Sequence, residues 1–135
     1  MKYTSFAMNS FAFVLLTIFF TISNAFPLFN SMNKRDVFVP PITYPTNTTV
    51  WNSGEVHNVT WDISQAPVNI TNKIGRIQLR QDDITFPLIL ADGFDILLGS
   101  YNITVPMLIT GIYQLVLFGD SGNFSPEFTI NGPDE

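Results

Sequence analysis

The sequence predicts an all-β chain, one antiparallel β-sandwich of about seven strands over residues 37–131. Three observations predict it. After Val37 the apolar residues come in short runs with a period of two, the signature of strands whose side chains alternate between faces. No stretch after Arg35 keeps a helical period. Turn-forming residues punctuate the runs at Asn52-Ser53-Gly54, Asp92-Gly93 and Gly119-Asp120-Ser121-Gly122.

Before that body stands a different kind of segment. Seven of the thirteen phenylalanines lie at or before Phe29. Lys2 is followed by an apolar run from Phe11 to Ile22, then by Ser23-Asn24-Ala25. A charged start, a short apolar stretch and a small-residue end describe a secretory signal peptide over residues 1–25, with cleavage expected near Ala25. Asn9 and Ser10 interrupt the run before it reaches the roughly 20 apolar residues of a membrane span. Residues 26–36 read as a flexible arm in which Lys34-Arg35 is a candidate dibasic processing site.

The strands then follow in order. Pro40 and Pro41 suit an edge strand, because proline donates nothing to a ladder. Val59, Trp61 and Ile63 share one parity, with Asn58, Thr60 and Asp62 on the other. Ile77 and Leu79 alternate with the polar stripe Arg76, Gln78 and Arg80. A strand over Thr85 to Leu90 comes next. Tyr101, Ile103 and Val105 alternate with Asn102 and Thr104; Tyr113, Leu115 and Leu117 share a face, as do Phe128 and Ile130. Residues 132–135 form a short tail. Two such sheets pack apolar face to apolar face, with Trp61 and Tyr113 as large core pieces.

At 135 residues there is room for one domain. With no cysteine, a disulfide framework, a thiolate metal site and thiol chemistry are excluded. The lone histidine, His57, excludes a multi-histidine metal site, and its inward parity reads as structural. Net charge is -5; with both cuts, three basic side chains face eleven acidic ones, a net -8. Such an acidic chain disfavours nucleic acid and anionic lipid. Asp82, Asp83, Asp92 and Asp95 are the most enzyme-like group, since glycosidases flank a sugar bond with two carboxylates and calcium takes several oxygens. The two pairs bracket one strand, however, so solvated loop charges are the plainer reading. Trp51 has two readings, a sugar-stacking platform or a core plug. No cofactor, metal or catalytic residue is expected.

Five Asn-x-Ser/Thr triplets begin at Asn47, Asn58, Asn69, Asn102 and Asn123. In a secreted protein each is an acceptor for an N-glycan. Asn58 and Asn102 lie on the polar parity of their strands, and Pro126 after Ser125 weakens Asn123.

The block VWNSGEVHNVTWD at Val50 to Asp62 has ITYPT upstream and IGRIQLRQ, GSYNITVP and TGIYQLVLFGDSGNFSPEFTI downstream. In this order the pieces resemble the N-terminal domain of the fungal Kre9/Knh1-like cell-wall family. The resemblance runs from Pro41 to Ile130 and is carried by Trp51, Gly54, Trp61, Tyr113 and Phe128. It implies an immunoglobulin-like or fibronectin-III-like sandwich, with those five positions structural, and a secreted, non-catalytic protein. Several members are linked to β-1,6-glucan assembly, and many carry a Ser/Thr-rich stalk and a lipid-anchor signal. This chain ends at Ile130-Asn131-Gly132-Pro133-Asp134-Glu135 instead, so no membrane anchor is expected in the mature chain.

Together these readings give a secreted, monomeric, non-catalytic module associated with wall polysaccharide or β-glucan. The alternative is a secreted protein-binding or effector-like module with no glycan ligand. An enzyme built on Asp82 or Asp83 with Asp92 or Asp95 ranks behind both.

Overall fold

The computed structural model describes residues 36–133, and within them the chain is an all-β sandwich. The expected signal peptide, Ala25 and the Lys34-Arg35 pair lie outside the described residues. Nine strands follow one another: β1 (Ile42–Tyr44), β2 (Val50–Asn52), β3 (Val56–Trp61), β4 (Ile74–Gln81), β5 (Ile84–Asp95), β6 (Ser100–Thr104), β7 (Gly111–Phe118), β8 (Gly122–Phe124) and β9 (Phe128–Asn131). One sheet has the order β1-β3-β6. The other runs β2-β9-β7-β4-β5, with β8 also paired to β7.

Nine strands replace the expected seven because β2 and β8 are three residues long, too short to show an alternation. The chain passes from β1 in one sheet to β2 in the other, where β2 runs parallel to β9. That pair departs from the expected all-antiparallel pattern. The β1-β3-β6 layer packed against a sheet containing β9-β7-β4-β5 matches the immunoglobulin arrangement, in which the second sheet carries an added edge strand. Tyr113, near the start of β7, donates from its hydroxyl to the Ile109 carbonyl at 2.9 Å. That bond back to the chain just upstream is the tyrosine corner of this fold class.

The core lies between the sheets. Val59 and Trp61 from β3 and Ile103 from β6 face Ile77 and Leu79 from β4 and Tyr113, Leu115 and Leu117 from β7, all buried. Each large apolar side chain buried this way is worth about 1.5–3 kcal/mol. Trp61 and Tyr113 are therefore interior, as their parity predicted. Ile63 is not part of this face: β3 ends at Trp61. Tyr101 is also only partly covered, because β6 is an edge strand. Its ring stacks on Phe94 at 4.5 Å between centroids.

The expected turn at Asp92-Gly93 is a bulge inside β5. Gly75 pairs with Phe94 and Arg76 with Asp92, so Gly93 is the extra residue. Its φ of +81° suits a residue without Cβ. The real hairpin turn is Asp82-Asp83, with φ +49° and +63°. Two residues at positive φ between paired Gln81 and Ile84 make a tight turn whose twist matches the strands. Asn52-Ser53-Gly54 and Gly119-Asp120-Ser121-Gly122 do turn the chain, before β3 and β8.

The last strand is broken, and a side chain closes the break. β8 pairs with the C-terminal half of β7 and β9 with its N-terminal half. Pro126 between them has no N–H to give. Ser125, buried, fills the gap: its backbone N–H donates to the Leu115 carbonyl at 2.9 Å, and its Oγ accepts from the Leu115 N–H at 2.8 Å. Ser125→Ala leaves that buried N–H without a partner and is expected to destabilise the domain by about 1–3 kcal/mol. Urea unfolding followed by tryptophan fluorescence measures it; Ser125→Thr, which keeps the oxygen, is expected to lose less.

Candidate functional surface

The carboxylates expected to be most enzyme-like are kept apart by β5. Asp82 and Asp83 form the turn before it, Asp92 lies in its far part, and Asp95 ends it. Asp92 pairs with Arg76 and the Asp82-Asp83 turn follows Gln81, five residues further along β4, so at about 3.3 Å per residue the two pairs stand roughly 16 Å or more apart. Paired glycosidase carboxyls need about 5–9.5 Å. Three of the four also have local work. Asp83 accepts from Arg80 Nη2 at 2.7 Å. Asp92 accepts from Arg76 Nη2 at 3.0 Å, and that bond holds its carboxyl below the usual range. Asp95 caps the short 3-10 turn Ile96–Leu98 by accepting from the Leu97 N–H. Among the described residues, no three His, Asp or Glu side chains are grouped to hold a metal ion.

Trp51 is a core plug and not a sugar platform. It is 1% exposed, packs edge-on to Phe128 at 4.7 Å, and donates from Nε1 to the Tyr44 hydroxyl at 3.1 Å. His57 lies flat on its ring, 4.5 Å away and 6° from parallel. The His57 Nε2 meets Glu55 Oε2 at 2.8 Å. Glu55 also receives the Asn52 side-chain amide at 2.8 Å and the Asn52 backbone N–H at 3.0 Å. These bonds, the Asn52 amide first, lower the Glu55 pKa to about 2. The residues Asn52, Glu55 and His57 thus clamp the β2–β3 turn, in which Gly54 sits at φ +85°. Trp51, Gly54, Trp61, Tyr113 and Phe128 therefore all serve packing or the turn.

The two outer faces of the sandwich differ in chemistry. On the three-stranded sheet, Asn58 is directly opposite Asn102, and Thr60 opposite Ser100. Thr43 Oγ1 meets Thr60 Oγ1 at 2.7 Å on the same face. This face is uncharged and mostly polar, with Val56 its exposed apolar residue at the end of β3. Asn47 and Asn69 are exposed in the β1–β2 and β3–β4 connections. Asn123 is half-buried and donates to the Pro40 carbonyl at 2.8 Å.

The six-stranded sheet presents a mixed outer face. Across it, Asp92 is opposite Arg76 and Arg76 opposite Phe118; the next row sets Ile89 beside Gln78 and Gln78 beside Val116. Phe124 on β8 lies opposite Val116, and the Arg80 guanidinium sits 4.1 Å over the Phe124 ring. Ile89, Ile112, Phe124 and Val50 are each about half exposed, at 48%, 51%, 49% and 58%. Charge alternation on β4 hinted at this face, but only the pairing of β8 with β7 brings Phe124 to Arg80.

The strand order and the Tyr113 corner define an immunoglobulin-like β-sandwich. No family model matches the chain, and no curated protein does. Among solved structures it is similar to extracellular domains 3–5 of Drosophila OTK, at 16% identity and a TM-score of 0.41. The match covers 75% of this chain and 37% of that one, so this chain spans little more than a third of it.

Because the Glu55 pKa is depressed in the folded state, its clamp contributes fully above the ordinary value of 4.5 and is lost as pH falls toward about 2. Carboxyl-detected NMR titration is expected to place the Glu55 midpoint near 2. Asn52→Ala, which removes the amide donor, is expected to move it back toward 4.5.

Proposed function

We propose that this chain is a secreted, non-catalytic immunoglobulin-like module that works by docking a partner protein on the outer face of its six-stranded sheet. The observation that carries this reading is the asymmetry of the two faces. Two sequons stand on the outer face of the small sheet, while no sequon asparagine stands among the outward residues of the large one. Glycans cover what they are attached to, so the bare face is the one open to a macromolecule.

The chemistry of that face fits a protein. Half-exposed Ile89, Ile112 and Phe124 offer apolar contact, and an arginine stacked on an aromatic ring is a frequent anchor at protein interfaces. Arg80 is held in place on this face: its Nη2 donates to Asp83 at 2.7 Å while its guanidinium lies over the Phe124 ring, so the anchor is already ordered before contact. Three basic residues against nine acidic ones over residues 36–133 favour a partner with a basic rim.

The Kre9/Knh1-like resemblance supports a second reading, association with β-glucan in a fungal wall. The five positions that carry the resemblance are core or turn residues, so they speak for a shared fold and leave the ligand open.

Cross-linking in the culture medium is expected to return one stoichiometric protein partner. Phe124→Asp with Ile112→Asp is expected to weaken that capture at least tenfold, while Thr43→Val on the opposite face, which touches no sequon, leaves it unchanged. Retention of the purified protein on insoluble β-glucan, with no protein partner, favours the wall reading and counts against the docking face.

A further inference from the structure

We propose that Asn58 and Asn102 form one twin glycosylation site, with two N-glycans rooted side by side and each blocking access to the other's root. The inference rests on the secreted reading above and adds a physical coupling between two positions far apart in sequence. Asn58 and Asn102 are direct cross-strand partners on β3 and β6. Side chains directly opposite each other in an antiparallel pair have Cβ atoms about 4.5–5.5 Å apart. Asn58 Nδ2 donates to Asn102 Oδ1 at 2.8 Å, so the two amides already touch. Both residues are exposed.

The register makes the site nearly symmetric. Each asparagine opens an Asn-x-Thr triplet within its own strand, and alternation puts Thr60 and Thr104 on the same outer face. Thr60 lies opposite Ser100, and Thr104 opposite Val56. The two triplets therefore run past each other in opposite directions with their asparagines at the centre. The buried residues between, Val59 and Ile103, point into the core and fix both strands. The two roots cannot drift apart without breaking the β3–β6 ladder.

Two glycans are chemically compatible with this pair. In each transfer, Asn Nδ2 attacks the anomeric carbon of an oligosaccharide carried on a lipid pyrophosphate. The N–C bond forms, the C–O bond to pyrophosphate breaks, the lipid pyrophosphate leaves, and the amide loses one proton. One N–H remains on each nitrogen. That of Asn58 can keep its bond to Asn102, which takes part through its oxygen and leaves its own nitrogen for a sugar. Transfer to the chain before β3 and β6 pair meets no crowding. Once the sheet forms, a first sugar ring is about as wide as the gap between the roots, so an amidase that must grip one root finds the other in its way.

The test uses the full-length protein purified from the medium of eukaryotic cells. It is digested with peptide-N-glycosidase without denaturation, and each released asparagine is scored as aspartate by peptide mass. Glycans at Asn58 and Asn102 are expected on the same molecules, with release at both at least tenfold slower than at Asn47 or Asn69. Asn58→Gln is expected to speed release at Asn102 about tenfold, and Asn102→Gln to do the same at Asn58. Thr60→Ala and Thr104→Ala, which abolish one triplet each and keep both asparagines, are expected to act alike. Equal release rates in the wild type and these variants, or occupancy of only one of the two positions, overturns the twin site and leaves the secreted reading standing. A protein with no N-glycan at any position overturns both.

Discussion

No covalent bridge joins the two sheets, so the fold depends on apolar packing in which the buried aromatic residues pair their polar ends. In disulfide-bridged immunoglobulin domains, a cysteine follows two residues after the corner tyrosine. Here that position is Leu115, fully buried. The covalent clamp is replaced by side-chain volume. The aromatic residues fit this scheme because each disposes of its polar end. Trp61 gives its indole N–H to the Ile96 carbonyl at 2.6 Å, Trp51 to Tyr44, and Tyr113 to Ile109. Left unpaired, each would cost as much as a small apolar group gains. Burial also pushes the Tyr113 hydroxyl above its ordinary pKa, which keeps it a neutral donor.

Packing this tight leaves little freedom for the backbone beside it. Gly75 in β4 lies against the Phe94 ring, and a Cβ there would run into that ring. Phe94 in turn bridges Trp61 and Tyr101, at 5.6 Å and 4.5 Å between centroids. The bulge at Gly93 rotates β5 locally just before Phe94 enters the core. A glycine that resembles a turn in sequence is thus part of how the largest sheet closes on its partner.

Period-two alternation made the central strands legible, because they are buried on one face only. Ile77 and Leu79, or Leu115 and Leu117, could sit no other way. The signal faded where a strand was short, bulged or covered on both sides. Val116 points outward by parity and is still fully buried, since Phe124 on β8 lies opposite it. Asp92-Gly93 has turn chemistry but opposes a continuous β4, so the ladder absorbed it as a bulge. The sequons could be read directly, yet their pairing could not. That Asn58 meets Asn102 is a property of register, and register needs the whole sheet. The acid pairs were likewise visible, and only the length of β5 shows that they do not converge.

The free edge of the large sheet argues for what the outer face is meant to meet. β5 is long, and Ile84, Leu88 and Ile89 on it are exposed, a combination that invites pairing with another strand. Its ladder with β4 shifts register three times, and Pro87 lies within the most irregular stretch. Such an edge is a poor template for strand addition, because its donors and acceptors fall out of step. With the edge blunted in this way and the small sheet's outer face given to glycan acceptors, the apolar residues around Arg80 and Phe124 are left as a surface for side-chain contact. On the docking reading proposed above, contact there is made by side-chain packing, and specificity lies in shape.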